Sequence, residues 1–108
     1  MQKMTVLLVS VIIMCCVAAI AFAEKASKDK GEAEFKEHCA LCHPGGGNIV
    51  NPKKTLHKKD REANNIRKEA DIVRIMRKPG PGMTIFDEKT ISDSEAKAIA
   101  KYIIKTFN

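Results

Sequence analysis

Residues 37–48 read EHCALCHPGGGN, which places two cysteines three positions apart and a histidine directly after the second. Side chains at i and i+3 of a helical turn lie on the same side, so the thiols of Cys39 and Cys42 are expected to face the same way. His43 follows on that side, four residues after Cys39. This short stretch therefore offers two thiols for covalent attachment and one imidazole for a metal.

The other two cysteines of the chain lie in an N-terminal segment that we expect to be an export signal. Residues 1–23 begin with one charge at Lys3, continue as an apolar run and end in AFA, the small-residue pattern of a cleavage site. Residues 4–23 also approach the length that spans a bilayer, so a retained membrane anchor is the alternative. In both cases the remaining chain is exported, and we expect it in the periplasm of a Gram-negative bacterium, with membrane association as an option.

The exported part is small enough that a bound group is expected to complete its core. Removing residues 1–23 leaves 85 of the 108 residues, which supports only a marginally stable core of protein alone. A disulfide between Cys39 and Cys42 would close too short a loop to compensate.

The charge of the chain favours an acidic protein partner or an anionic surface. The leader contains one of the 19 basic residues and none of the 13 acidic ones, so the exported part keeps a net charge near +5. Nucleic acid is not an expected partner, because one tyrosine, four phenylalanines and no tryptophan give few rings for stacking bases.

The periodicity of the exported part predicts an all-α domain over residues 31–108, with residues 24–30, which show no periodicity, as a short polar tether. A first helix is predicted from Gly31 through Cys42, where Pro44 and three glycines end it. A long glycine-containing loop follows, then a short helical turn near residues 60–66.

Two further helices are predicted in the C-terminal half. EADIVRIMRK has the apolar spacing of a helix that stops near Lys78, because Pro79 disfavours helix at the residue before it. The last helix begins at a capping box formed by Ser92 and Glu95 and continues with apolar residues at helical spacing. No run alternates as a strand would, so we expect three to four helices and no sheet.

The Cys-x-x-Cys-His spacing is the signature of c-type haem attachment. Each thiol can add to one vinyl group of a haem, and the following imidazole can coordinate the iron. Three alternatives explain less: a zinc site of Cys39, Cys42, His43 and His57, a thioredoxin-like dithiol, and a structural disulfide. One covalent haem would also supply the missing core.

The second axial ligand of such an iron has four candidates, of which Met83 is favoured. It follows the stiff, non-helical sequence PGPG, which can hold a thioether at a fixed point. Met76 has the spacing of a core residue, His57 is flanked by lysines and is expected to be exposed, and His38 is expected to point away from the cysteines. Ligation by His57 together with His43 is the main rival.

With CALCH near the start of the domain, GPGM forty residues after His43 and a capped C-terminal helix, residues 31–107 resemble a class I cytochrome c. PGGGNIVNPKKTL, REANNIR and RKPGPGM are similar to the small monohaem outer-membrane-associated cytochromes of metal-reducing bacteria, and the first of these also to soluble photosynthetic cytochromes. The resemblance implies that Asn48 and Leu56 belong to the haem pocket. It also implies that Gly31 and Phe35 of the first helix cross the last helix, at the residues Ile99 and Tyr102.

The resemblance implies a monomeric one-electron carrier with axial ligands His43 and Met83, working with redox proteins that are acidic or are themselves cytochromes. The family commonly has proline after the ligand methionine, whereas this chain has Thr84. A gas sensor or peroxidase-like enzyme with a displaceable Met83 is therefore the alternative. A basic run is either a docking collar around the haem edge or a solvated face; it comprises Lys53, Lys54, Lys58, Lys59 and Arg61.

Overall fold

The computed structural model describes all residues, 1–108, and contains four α-helices and no strand. This confirms the all-α prediction. In chain order the elements are α1 (Gln2–His38), a 3-10 turn (Pro44–Gly46), α2 (Lys58–Ala63), α3 (Glu69–Arg77) and α4 (Asp93–Thr106).

The helix α1 is longer than predicted, because it runs without a break through residues 24–30. The polar tether expected at residues 24–30 is therefore helical in conformation. Five of the seven residues in EKASKDK are lysine, alanine or glutamate, which have high helix propensity, and no glycine or proline interrupts the segment. Two ion pairs also join this part of α1 to α4: Lys105 Nζ lies 2.6 Å from Glu24 Oε1, and Lys30 Nζ lies 3.5 Å from Glu95 Oε1.

The N-terminal part of α1 is exposed and strongly apolar. An 18-residue window within it has a mean hydropathy of 3.0 and none of it is buried, so by length and composition this helix could cross a membrane. A cleaved export signal has the same features at the same place in a chain, so the leader and the anchor readings both fit the helix.

The crossing of α1 over α4 takes place at Gly31. A Cβ atom at this buried position would collide with the carbonyl group of Ala98, at 2.7 Å from its carbon, and would lie 3.1 Å from Tyr102 Cβ. One turn further along α1, the ring of Phe35 lies 5.3 Å from that of Tyr102 and 5.5 Å from that of Phe107. The expected crossing, with glycine allowing close approach, is confirmed.

The helix boundaries in the C-terminal half follow local signals. At α4, Ser92 Oγ accepts from the Glu95 N–H at 3.3 Å, and Glu95 Oε2 accepts from the Ser92 N–H at 2.9 Å, which is the predicted capping box. At α3, the carboxylate of Asp71 accepts from the N–H groups of Arg67 and Lys68 at 3.0 and 3.1 Å, which marks the start of that helix.

The core of the domain lies where α1, α3 and α4 meet. Met76 is 3% exposed and belongs to it, as its spacing predicted. The cluster of buried apolar residues comprises Phe35, Ile72, Met76, Ile91, Ala96, Ile99, Ala100, Ile103 and Phe107. The two segments that carry the cysteine motif and Met83 extend from this core as loops.

Candidate haem-binding site

The Cys-x-x-Cys-His motif lies on tight turns just after α1, rather than on the helix itself. The N–H of Cys39 still donates to Phe35 O at 2.9 Å, and the N–H groups of Cys42 and His43 then both donate to Cys39 O, at 3.2 and 2.9 Å. The prediction of helix through Cys42 is therefore wrong by four residues. Pro44 disfavours helical geometry at His43, and the glycines after it have low helix propensity, so the chain leaves the helical ladder early.

The imidazole of His43 is oriented by a backbone carbonyl. Its Nδ1 lies 2.8 Å from Gly47 O. Because a carbonyl oxygen can only accept, Nδ1 must carry the proton, and Nε2 keeps a free lone pair. A metal-ligating histidine in proteins is usually prepared in this way, with its second nitrogen donating to a carbonyl or a carboxylate.

The two thiols of the motif are free and differ in their surroundings. Cys39 is half-buried and Cys42 is exposed. Burial raises the pKa of the Cys39 thiol to about 11, and the charges of Cys42 and Glu34 add to the shift. Cys39 is thus neutral at physiological pH, unlike the low-pKa thiolate of a redox-active dithiol.

The loop after the motif is fixed by its own backbone and by the side chain of Asn48. Asn48 Oδ1 accepts from the N–H groups of Val50 and Asn51 at 3.0 and 2.9 Å, and its Nδ2 donates to Lys54 O at 2.9 Å. The side chain of Asn48 therefore shapes the loop around it. Leu56 is half-buried against the core, with its N–H donating to Gly46 O at 2.7 Å.

The segment that carries Met83 meets this loop directly. Met83 is half-buried and follows Gly82, which has a positive φ of 90°. A Cβ atom at Gly82 would lie 2.8 Å from Val50 Cγ1, so the two loops are in contact at this point. Beyond Met83, the N–H of Phe86 donates to Met76 O at 3.0 Å and closes the segment back onto α3.

The other candidates for a second axial ligand are engaged elsewhere. His38 Nε2 lies 3.5 Å from Glu34 Oε2, and its ring packs edge-on against Phe86 with centroids 6.1 Å apart. The ring of His57 is exposed and packs edge-on against Phe107 at 5.8 Å. With Met76 in the core, Met83 is the one candidate that is half-buried in a loop and free of such a contact.

The chemistry around these donors fits a large apolar group. In residues 24–108, the large apolar side chains that stay exposed are Leu41, Ile49, Val50 and Ile85, at 87%, 63%, 58% and 68%. All four lie within the cysteine motif and its loop or beside Met83. A covalently held macrocycle between the two loops would remove this surface from water, which is the main source of binding energy for such a group.

The alternative zinc site finds no support in the geometry. The structure brings the donor atoms of Glu34, Glu37 and His38 within 4.8 Å of one another, and no such group includes the cysteines or His43. This acidic group is on the surface of α1, and nothing else at the site indicates that it binds an ion.

Arg61, one member of the basic run, is buried and not exposed as predicted. Arg61 is 4% exposed, and its Nε donates to Leu56 O at 2.8 Å, so it supports the loop from inside instead of forming a collar. The lysines of the run, at positions 53, 54, 58 and 59, are exposed as either reading requires.

Comparison with known proteins places the chain in a family. The family described as cytochrome c oxidase, cbb3-type, subunit III matches residues 26–103. Cytochrome c6 from Cyanidium caldarium is 35% identical over 79 residues, covering 73% of this chain and 71% of that protein. Cytochrome c6 from Bumilleriopsis filiformis is 34% identical over 76 residues, covering 70% and 87%.

Solved structures agree with the sequence relatives. The outer membrane cytochrome OmcF from Geobacter sulfurreducens superposes with a TM-score of 0.70 at 46% identity, covering 72% of this chain and 99% of that one. Oxidized cytochrome c6A from Arabidopsis thaliana gives a TM-score of 0.67 at 31% identity, covering 71% and 86%. The chain therefore belongs to the class I monohaem cytochromes c, haem-based electron carriers with one covalent c-type haem, and lies close to cytochrome c6 and OmcF within them.

Proposed function

We propose that this chain is a one-electron carrier in which Cys39 and Cys42 hold the haem as thioethers and His43 and Met83 are its axial ligands. The observation that carries the proposal is the hydrogen bond from His43 Nδ1 to Gly47 O, which leaves Nε2 as the only free nitrogen of that ring. A haem with both axial positions filled by protein supplies a one-electron couple at its iron and no open position for a substrate.

The residues of the chain tune that couple in two ways. The Gly47 carbonyl makes the His43 imidazole a stronger donor and fixes the direction of its ring. The thioether of Met83 favours the reduced state compared with a second histidine, which raises the reduction potential. Both donors are on loops attached to the rigid α1, α3 and α4 core, so little rearrangement is expected on electron transfer.

The proposed partners are redox proteins, either acidic ones or other cytochromes, with the chain itself as a monomer. The exposed lysines at 53, 54, 58 and 59 lie in the loop and helix that follow the cysteine motif, where they can steer an acidic surface towards the site. The apolar half of α1 supports export to the periplasm, as a leader or as an anchor. The name of OmcF places that relative in an outer membrane.

The proposed roles of Asn48 and Leu56 are supporting ones. Asn48 holds the loop that contains the exposed Ile49 and Val50, and Leu56 closes the same loop onto the core. We infer that they shape the apolar wall of the haem pocket.

The test is the ferric absorption spectrum of the haem-loaded protein and of Met83→Ala, produced in a host that exports and matures c-type cytochromes. We expect the weak long-wavelength band of methionine–sulfur ligation in the wild type and its loss in Met83→Ala, together with a lower reduction potential. Met76→Ala is the matched control, because it removes a buried methionine from the core: it should keep the band and lose about 2–5 kcal/mol of stability.

Two results would contradict the proposal. A ferric spectrum unchanged in Met83→Ala would show that Met83 is not the ligand and would direct attention to His57. Binding of carbon monoxide by the ferrous wild-type protein at neutral pH would instead favour the gas-sensor or peroxidase-like alternative, in which Met83 is displaceable.

A further inference from the structure

The side chain of Arg77 connects the end of α3 with the chain that follows Met83. Its Nη1 donates to Phe86 O at 2.9 Å and to Ile91 O at 2.8 Å, and its Nη2 donates to Asp93 Oδ1 at 2.8 Å. These three acceptors lie 9 to 16 residues further along the chain. One guanidinium group thus links the last turn of α3, the exit of the Met83 segment and the first residue of α4.

The same residues close the Met83 segment into a loop. Phe86 is bound on both sides of its peptide unit: its N–H donates to Met76 O, and its carbonyl accepts from Arg77. The eight residues between Arg77 and Phe86, positions 78–85, therefore start and end at one fixed place on α3. Met83 lies within that loop, three residues before the clamped Phe86.

The bonds made by Arg77 are stronger than ordinary surface contacts. The Arg77 side chain is 21% exposed, whereas its ion-pair partner Asp93 is 65% exposed. Hydrogen bonds from a charged donor to partly buried carbonyls are about twice as strong as neutral ones, and the planar fork of arginine can serve two acceptors in fixed directions. Lysine carries its three donors on one nitrogen, so it could not reproduce the two separate nitrogens of the fork.

We propose that Arg77 is a positioning residue that holds the Met83 loop in place, so that the sulfur of Met83 stays bound instead of being exchanged for an external ligand. This inference rests on the proposed ligation by Met83. It also accounts for how the chain tolerates Thr84: the loop that lacks the stiffening proline after its methionine is closed by a side chain from α3.

The experiment is a titration of the haem-loaded ferric protein with imidazole, followed by the loss of the methionine–sulfur band. In Arg77→Ala we expect the imidazole concentration that displaces half of Met83 to fall by about tenfold or more, the effect of losing a charge-assisted hydrogen bond. For Arg77→Lys we expect an imidazole concentration between that of the wild type and that of Arg77→Ala. Arg74→Ala is the matched control, because Arg74 lies one turn earlier on α3 with a 64% exposed side chain and pairs only with Asp71 at 3.5 Å.

Two further variants separate positioning from stability. Ile99→Val removes a methylene from a fully buried side chain and should lower the thermal midpoint without changing the imidazole titration. Asp93→Asn breaks the exposed ion pair but leaves both carbonyl contacts of Arg77, so it should also titrate as the wild type does.

The outcomes distinguish this inference from the proposed function. A wild-type titration for Arg77→Ala, in a protein that still shows the band, would overturn the positioning role while leaving Met83 as the ligand. If Met83→Ala kept the wild-type spectrum, Met83 would not be the ligand, and both the proposed function and the positioning role of Arg77 would fail. If Arg77→Ala does not take up haem, the test is made with Arg77→Lys. An imidazole titration of Arg77→Lys identical to that of the wild type would then overturn the positioning role.

Discussion

Replacing Gly31 with alanine tests the helix crossing on which the whole domain is built. The added Cβ would lie 2.7 Å from the Ala98 carbonyl carbon and closer still to its oxygen, whereas ordinary contacts of this kind begin at 3.4 Å, so α1 and α4 must separate by more than about 0.7 Å. The obstacle is backbone, which cannot rotate away. The separation would also loosen the packing of Phe35 against Tyr102.

The expected loss of stability follows from two opposing effects. Overpacking of this kind costs up to about 3 kcal/mol, and alanine recovers about 1 kcal/mol because it forms helix better than glycine. The net loss is about 2 kcal/mol, equivalent to a fall of roughly 10 °C in the thermal midpoint of a domain of this size. Thermal unfolding of the haem-loaded protein, followed by far-ultraviolet circular dichroism, measures it.

A second glycine provides the control for this experiment. A Cβ at Gly80 would meet no atom within 4 Å, and its φ is not positive, so Gly80→Ala should leave stability unchanged or raise it by up to about 1 kcal/mol. A thermal midpoint for Gly31→Ala equal to that of Gly80→Ala would refute the close crossing of α1 and α4.

Two other substitutions test the loops and the helix cap. Gly82→Ala should weaken the hold on Met83, because alanine is strained at a φ of 90° and its Cβ would press on Val50; Val50→Ala should restore only the steric part, as judged by the methionine–sulfur band. Hydrogen bonds from the backbone and side chain of Ser92 lower the pKa of the Glu95 carboxyl below its ordinary 4.5. Its contribution is therefore present above pH 4.5 and lost as the pH falls through the lowered value. Glu95→Gln should be less stable than the wild type near neutral pH, and the difference in thermal midpoint should disappear in acid; a difference that persists unchanged in acid would contradict this reasoning.

The parts of the fold that could be predicted are those with local signals. The capping box at Ser92 begins α4, Pro79 follows the end of α3, and the apolar spacing placed Met76 in the core. Each depends on residues within one or two turns of chain. The cysteine motif is equally local, so a covalent haem could be predicted from the sequence. The residue at which α1 ends could not.

The parts that could not be predicted depend on partners far along the chain. Arg61 stands among lysines and looks like one more exposed charge, yet it is buried because the carbonyls of Leu56 and Phe107 accept from it, the latter at 3.5 Å. Arg77 gives no sequence signal either, since its two backbone acceptors, Phe86 O and Ile91 O, lie 9 and 14 residues further along the chain. Backbone acceptors are present at every residue, so only the fold reveals which of them a side chain reaches.

Contacts with backbone groups also position the residues around the Cys-x-x-Cys-His motif. Gly47 O orients His43, Phe86 O anchors the Met83 loop through Arg77, and the missing side chain of Gly82 lets that loop touch the cysteine loop. In the proposed site the motif determines where the haem is attached, whereas these contacts determine the position of Met83, the proposed second donor. Substitutions at Arg77 and Gly82 should therefore change how firmly Met83 is held, and with it the reduction potential, while covalent attachment at the motif continues unchanged.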